Sequence, residues 1–298
     1  MAVQQTIKTI QANNLTFSYY ELGNGPLILC LHGFPDTANT WQLLMQDLAQ
    51  SGYRVVAPFM RGYHPTTIPT DGDYSLFTLG RDVLTLIRAL GEPQAGVIGH
   101  NWGALAAYIA AVLDPEKVRV VIAESMPHPS VMESGGRGGF LRKKRSFMSF
   151  DKRDNPAWIQ RNDFSNLATI YKRWSPKWKF DESILHPIKE TFVQAGSLDA
   201  VLGYYQVFEA DRKSPKAQQL IQVPVDVETI AIFGEQDGII DLDLIEKTPE
   251  AFSDFYEYII LPGVGHFAHH EAPQIFSREV LKFLHQKIPP ATRPMRDT

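Results

Sequence analysis

The chain has a single cysteine, Cys30, in 298 residues, so no disulfide can form within it. Cys30 stands in Leu27-Ile28-Leu29-Cys30-Leu31, a run that reads as a buried strand and makes the thiol a core residue. A chain so poor in cysteine suits a reducing compartment. No apolar run approaches the roughly 20 residues a membrane helix needs, and the longest helical candidate, Ala104 to Leu113, is about half that length. Met1 to Gln11 lacks the apolar stretch of a secretion signal. Positive charge is not in excess either, since Lys+Arg 29 against Asp+Glu 33 leaves a net charge of −4. That balance argues against a broad nucleic-acid surface. The one basic run, Arg142-Lys143-Lys144-Arg145, reads as a solvated helix face. The expectation is a soluble, cytoplasmic protein without membrane or nucleic-acid partners, with monomer and homodimer both open.

What is present is the composition of an ordinary globular protein, 44% hydrophobic and 21% charged, in a chain long enough for one large core. Strand patterns at Thr6 to Gln11, Leu15 to Tyr20, Pro26 to Leu31, Tyr53 to Ala57, Ala95 to Ile98 and Val118 to Ala123 alternate with helical ones. The helices are expected from Asn39-Thr40 to Gln50, from Ser75 to Leu90 and from Trp102 to Leu113, with Ser75 as N-cap and Gly91 as stop. Such alternation predicts a mostly parallel sheet covered on both faces. The alternation stops from about Pro127 to Gln222, where helical patterns and Trp158, Trp174 and Trp178 replace it. Strands resume at Glu228 to Phe233 and Phe255 to Leu261, and a last helix is expected at Gln274 to Gln286. The simplest organisation is a core of residues 1–126 and 223–298 interrupted by a helical cap at 127–222.

Three signals in order carry the chemistry. Gly99-His100-Asn101-Trp102-Gly103 has the G-x-nucleophile-x-G spacing of a sharp strand-to-helix turn, with Asn101 at its centre. Asp237 follows a strand in Phe233-Gly234-Glu235-Gln236-Asp237, and His266 lies in Gly263-Val264-Gly265-His266-Phe267 after the final strand. Nucleophile, acid and histidine in that order form a triad in which the acid orients the imidazole. Glu124, at a strand end, is the alternative acid. The Phe34 and Trp102 backbone N–H groups are candidates for an oxyanion site, His32-Gly33-Phe34-Pro35 being otherwise a structural turn with His32 packed beneath it. His266, His269, His270 and Glu271 lie close together, but no second ligand cluster with recognisable spacing supports a metal site.

His32-Gly33-Phe34-Pro35, Arg61-Gly62-Tyr63, Gly99-His100-x-Trp102-Gly103 and Met126-Pro127-His128-Pro129 together resemble the epoxide hydrolase and haloalkane dehalogenase branch of the α/β-hydrolases. The resemblance covers residues 1 to about 129 and about 222 to 288, and within the insertion it rests on Leu202-Gly203-Tyr204-Tyr205-Gln206. It implies an α/β-hydrolase fold with a mostly parallel eight-stranded sheet, helices on both faces and an inserted cap. It also implies a small-molecule substrate and no cofactor. That branch places Asp at the elbow, whose carboxylate forms an alkyl ester that water then hydrolyses. Here Asn101 stands in its place, which reads as an Asp-to-Asn change stopping turnover in an otherwise intact enzyme. The resemblance further implies two cap tyrosines that donate to an epoxide oxygen. Tyr205 matches one, while the counterpart of the other is Phe147, which has no hydroxyl. Tyr204 is a candidate substitute, and Tyr204, Phe147 and His128 are expected to line the substrate pocket. A haloalkane dehalogenase and a catalytically silent binding protein that has kept the pocket are the competing readings.

Overall fold

The structure, a computed structural model, describes residues 6–131, 155–211 and 213–290. Its N-terminal hairpin joins β1 (Lys8–Ala12) to β2 (Leu15–Leu22), with Asn13 and Asn14 at φ 42° and 63° in the turn. Asparagine tolerates this left-handed conformation, which matches the twist of the flanking strands. β3 (Leu27–Leu31), β4 (Arg54–Pro58), β5 (Ala95–His100), β6 (Val118–Glu124), β7 (Thr229–Gly234) and β8 (Tyr256–Leu261) complete an eight-stranded sheet in the order β1-β2-β4-β3-β5-β6-β7-β8. From β4 to β8 every pairing is parallel. β3, β5 and β7 are buried at every residue, which explains why they read as unbroken apolar runs.

Three helices connect the first strands: α1 (Gln42–Gln50), entered through a 3-10 turn at Ala38–Trp41, α2 (Leu76–Ala89) and α3 (Trp102–Leu113). The Ser75 side chain caps α2 by accepting from the Thr78 N–H, and Gly91 at φ 82° follows its end. Between β6 and β7 the described residues form α4 (Asn155–Phe164), α5 (Asn166–Trp174), α6 (His186–Phe192), α7 (Ser197–Asp211) and α8 (Pro215–Ile221). After β7 come α9 (Leu242–Lys247), then α10 (Ala268–Glu271) and α11 (Pro273–Lys287) following β8. Among the described residues no helix is long and apolar enough to cross a membrane.

Parallel register decides where the chemistry can sit. Leu31 is level with Gly99, His100 with Glu124, Glu124 with Ile232, and Gly234 with Leu261. The carboxyl ends of β3, β5, β6, β7 and β8 therefore share one edge of the sheet. The loops leaving that edge carry Phe34, Asn101, Asp237 and His266. Burial holds the edge rigid. Trp102, Tyr204, Tyr205, Trp174 and Phe34 are all fully buried, and large side chains so placed each contribute about 1.5–3 kcal/mol relative to exposure.

Candidate active site

Asn101 occupies a strained turn at φ 52°, ψ −114°, between the last residue of β5 and the first of α3. The turn closes so tightly that a Cβ on Gly99 would lie 2.3 Å from the Gly103 carbonyl oxygen, and one on Gly103 would lie 2.1 Å from that of Leu31. Only glycine fits either position, which gives the G-x-x-x-G spacing its physical reason. The Asn101 side chain is fully buried. Its Oδ1 accepts from the Trp102 N–H at 2.9 Å and from the Phe34 N–H at 3.5 Å. His32 holds the Phe34 turn in place, its Nε2 accepting from the Met60 N–H at 3.0 Å and its Nδ1 facing the Gly33 carbonyl at 3.0 Å. The two backbone donors and the packed histidine are thus parts of one arrangement.

With Oδ1 so engaged, the Asn101 Nδ2 faces His266 Nε2 at 3.2 Å. An amide nitrogen only donates, so Nε2 is the accepting nitrogen and the ring proton sits on Nδ1. Nδ1 donates to Asp237 Oδ2 at 2.8 Å. The other carboxylate oxygen of Asp237 accepts the Ile239 and Ile240 N–H groups at 2.7 and 2.9 Å. His266 is fully buried and Asp237 nearly so. Glu124, the alternative acid, is engaged elsewhere: His269 lies against it, Nδ1 at 2.8 Å from Oε1.

Tyr205, on α7, lies edge-on to both Phe34 and Trp102, with ring centroids 5.4 and 5.1 Å away. These are the two residues whose N–H groups hold Asn101 Oδ1. Burial pushes the Tyr205 phenol well above its ordinary value, the nearby Trp102 side chain working in the opposite direction. Tyr204, its neighbour, directs its hydroxyl elsewhere, donating to the Arg61 carbonyl at 2.9 Å. Adjacent residues on a helix point about 100° apart, so one face receives Tyr205 and another Tyr204. The His128 ring packs on Tyr108 and Phe252 at 5.3 and 5.8 Å, and its Nδ1 pairs with the Ser130 hydroxyl at 2.9 Å. Burial lowers its pKa to about 3, so it is a neutral packing residue. Phe147 and the basic run at 142–145 lie outside the described residues.

Behind the site is a polar cluster that no local motif announces. His269 sits between Glu124 and Asp36, whose nearer oxygen is 3.6 Å from Nε2. Burial opposes a charge on this ring, but the carboxylates of Glu124 and Asp36 outweigh it and raise the pKa to about 9. The Thr40 hydroxyl bridges the Nε2 atoms of His269 and His270 at 2.5 and 2.7 Å, and the Tyr171 hydroxyl donates to Asp36. Asp36, His269 and His270 converge as metal ligands would, as do His100, Glu124 and His269, and the Thr40 hydroxyl lies between the imidazoles of His269 and His270. His100 donates from Nε2 to the His266 carbonyl at 3.1 Å.

A strand-end elbow, an acid–histidine pair and two backbone donors on one sheet edge define an α/β hydrolase. The chain belongs to the α/β hydrolase fold family, whose match spans residues 26–273. It is 30% identical over 283 residues to the AB hydrolase superfamily protein YfhM of Bacillus subtilis, covering 92% of this chain and 96% of that protein. It is 27% identical over 310 residues to an epoxide hydrolase of Caballeronia sordidicola, covering 92% of each. Among solved structures, potato (Solanum tuberosum) epoxide hydrolase I superposes with a TM-score of 0.82 at 24% identity, over 95% of this chain and 100% of that one.

Proposed function

We propose that this chain carries the machinery of an epoxide-opening hydrolase, with Asn101 standing where the carboxylate nucleophile belongs. The observation that carries this reading is the placement of the Asn101 amide. Its oxygen lies on two backbone donors, and its other terminal atom faces an imidazole oriented by Asp237. The similarity to proteins named as epoxide hydrolases supports the same reading.

With Asp at 101, one carboxylate oxygen would rest on the Phe34 and Trp102 N–H groups and the other would attack an epoxide carbon. The carbon–oxygen bond of the ring would break as an ester to residue 101 forms, and Tyr205 would donate its proton to the departing oxygen. His266, accepting through Nε2, would then take a proton from water as that water attacks Cγ of the ester. The developing oxyanion would stay on the same two backbone donors. Collapse would expel the second alkoxide, which takes the proton of the new carboxylic acid to give the diol and regenerate the carboxylate, and the proton held on His266 would return to the Tyr205 phenolate. In this reading the helices between β6 and β7 are a cap that carries the phenol. The neutral amide lacks the charge this displacement needs, so the chain as written binds substrate without forming the ester.

Two other readings remain distinct. A haloalkane dehalogenase would use the Trp102 indole N–H for a departing halide, but the residue after His32-Gly33 is Phe34, whose side chain offers no second polar donor. Asn101 itself favours a catalytically silent binding protein. Asn101→Asp assayed on small epoxides, with haloalkanes as controls, separates the three. Turnover of epoxides supports the reading, turnover of haloalkanes alone moves it to the dehalogenase branch, and turnover of neither supports the binding protein.

A further inference from the structure

The two loops that bear His266 and Asp237 leave different strands, and both are fastened to one point on the inserted helices. Ser175, the residue after α5, is fully buried, and its Oγ accepts the His266 N–H at 2.8 Å. The same hydroxyl donates to Glu271 Oε1 at 2.6 Å. Glu271 also accepts the Gly265 N–H at 2.8 Å on Oε2 and the Phe267 N–H at 3.1 Å on Oε1. Three consecutive backbone donors around His266 thus converge on one carboxylate, two directly and one through the serine. The Trp174 carbonyl, one residue earlier, accepts the Gly238 N–H at 2.8 Å, next to Asp237. The aromatic contacts repeat the pattern. Trp174 lies edge-on to the His266 ring at 5.0 Å, and Tyr171 stacks on Phe267 at 4.3 Å.

We propose that Ser175 and Glu271 act as positioning residues for His266, so that docking of the inserted helices sets the imidazole against residue 101. Physically, hydrogen bonds to an ionised acceptor are about twice as strong as neutral ones. A loop pinned at three successive N–H groups fixes the backbone from which the ring projects, so that the ring's own bonds to Asp237 and Asn101 are made from a set position. Gly265 reinforces this, because a Cβ there would lie 2.4 Å from Ser175 Oγ. The consequence for catalysis rests on the proposed ester mechanism, in which His266 serves the hydrolytic half and not the alkylation. Loosening the loop should therefore slow ester breakdown and spare ester formation.

The test has two arms. In the chain as it stands, the low-field imidazole N–H resonance of His266 is followed by NMR in Ser175→Ala and Glu271→Gln, with melting temperature measured alongside. The signal should shift and exchange faster in both variants, less in Glu271→Gln, which keeps one acceptor oxygen, than in Glu271→Ala. An unchanged resonance in Ser175→Ala would overturn the proposal. In an Asn101→Asp background, single-turnover kinetics on an epoxide should show ester decay slowed by ~10- to 100-fold, as expected when a catalytic group is misplaced by up to about 1 Å. Ester formation should change by less than about threefold. Equal slowing of both steps, or of neither, would also overturn it. Absence of any ester in the Asn101→Asp parent would count against the epoxide reading alone, since the resonance arm decides the clamp without chemistry.

Discussion

Stability should fall on the alkaline side of neutrality because of His269. Its folded pKa is raised from the usual 6.5 to about 9, by carboxylates of Glu124 and Asp36 that outweigh the opposing effect of burial. A group held protonated in the fold contributes stability below its unfolded pKa and loses it as pH rises through the folded one. The window is therefore pH 6.5 to about 9, and the loss across it is about 3 kcal/mol. Thr40, His270 and His100 also face this ring. His32 acts on the other side. Burial lowers its pKa to about 4, so its contribution is present above 6.5 and lost as pH falls toward 4. The two windows do not overlap, and stability should peak near pH 6.5. Denaturant titrations at half-unit steps from pH 5 to 10 would measure the alkaline arm directly, with His269→Gln as the comparison. The variant should be less stable at pH 6.5 and nearly flat from there to pH 9. A flat alkaline arm in the unaltered chain, or an equally steep one in His269→Gln, would refute the assignment of charge to this histidine.

Other expectations concern the chemistry. In an Asn101→Asp background, Tyr205→Phe should slow epoxide opening by ~10²–10⁴, the range of general acid catalysis, as read from single-turnover ester formation. Little effect there would remove Tyr205 from the mechanism. Asp237→Asn in that background should leave ester formation nearly intact and slow its hydrolysis, because the imidazole loses the partner that fixes its tautomer. In the chain as written, His266 faces the Asn101 amide while its oxygen lies on two backbone donors. Water activated there should slowly convert Asn101 to Asp, so epoxide activity should grow on storage in step with the amide-to-acid mass change on the peptide bearing residue 101. Storage at neutral pH with no such change would contradict this.

Much of the fold is legible because it depends on local pattern. β3, β5 and β7 are buried runs of β-branched and apolar residues, and Ser75 and Gly91 mark the ends of α2 with their own chemistry. The elbow is legible from its spacing, although only Gly99 answers a steric need within the turn itself, while Gly103 makes room for the Leu31 carbonyl of the neighbouring strand. What resists reading is long-range. Glu124 and Asp237 both follow strands, and only the fold shows that His269 engages one and His266 the other. Tyr204 and Tyr205 are adjacent and alike in type, so the hydroxyl that turns away to Arg61 cannot be told from the one beside Trp102. Ser175 and Glu271 carry no motif of their own. Their meaning comes from meeting around His266 across 91 residues of chain.

The central claim, that residue 101 is the position of a covalent nucleophile, is tested most directly by mass analysis after brief exposure to an epoxide and acid quench. Asp237→Asn should be included to prolong the ester. In Asn101→Asp the peptide bearing residue 101 should gain the mass of the epoxide, and in the unaltered chain it should not. Epoxide turnover by Asn101→Asp with no adduct on that peptide, even with Asp237→Asn present, would contradict the account.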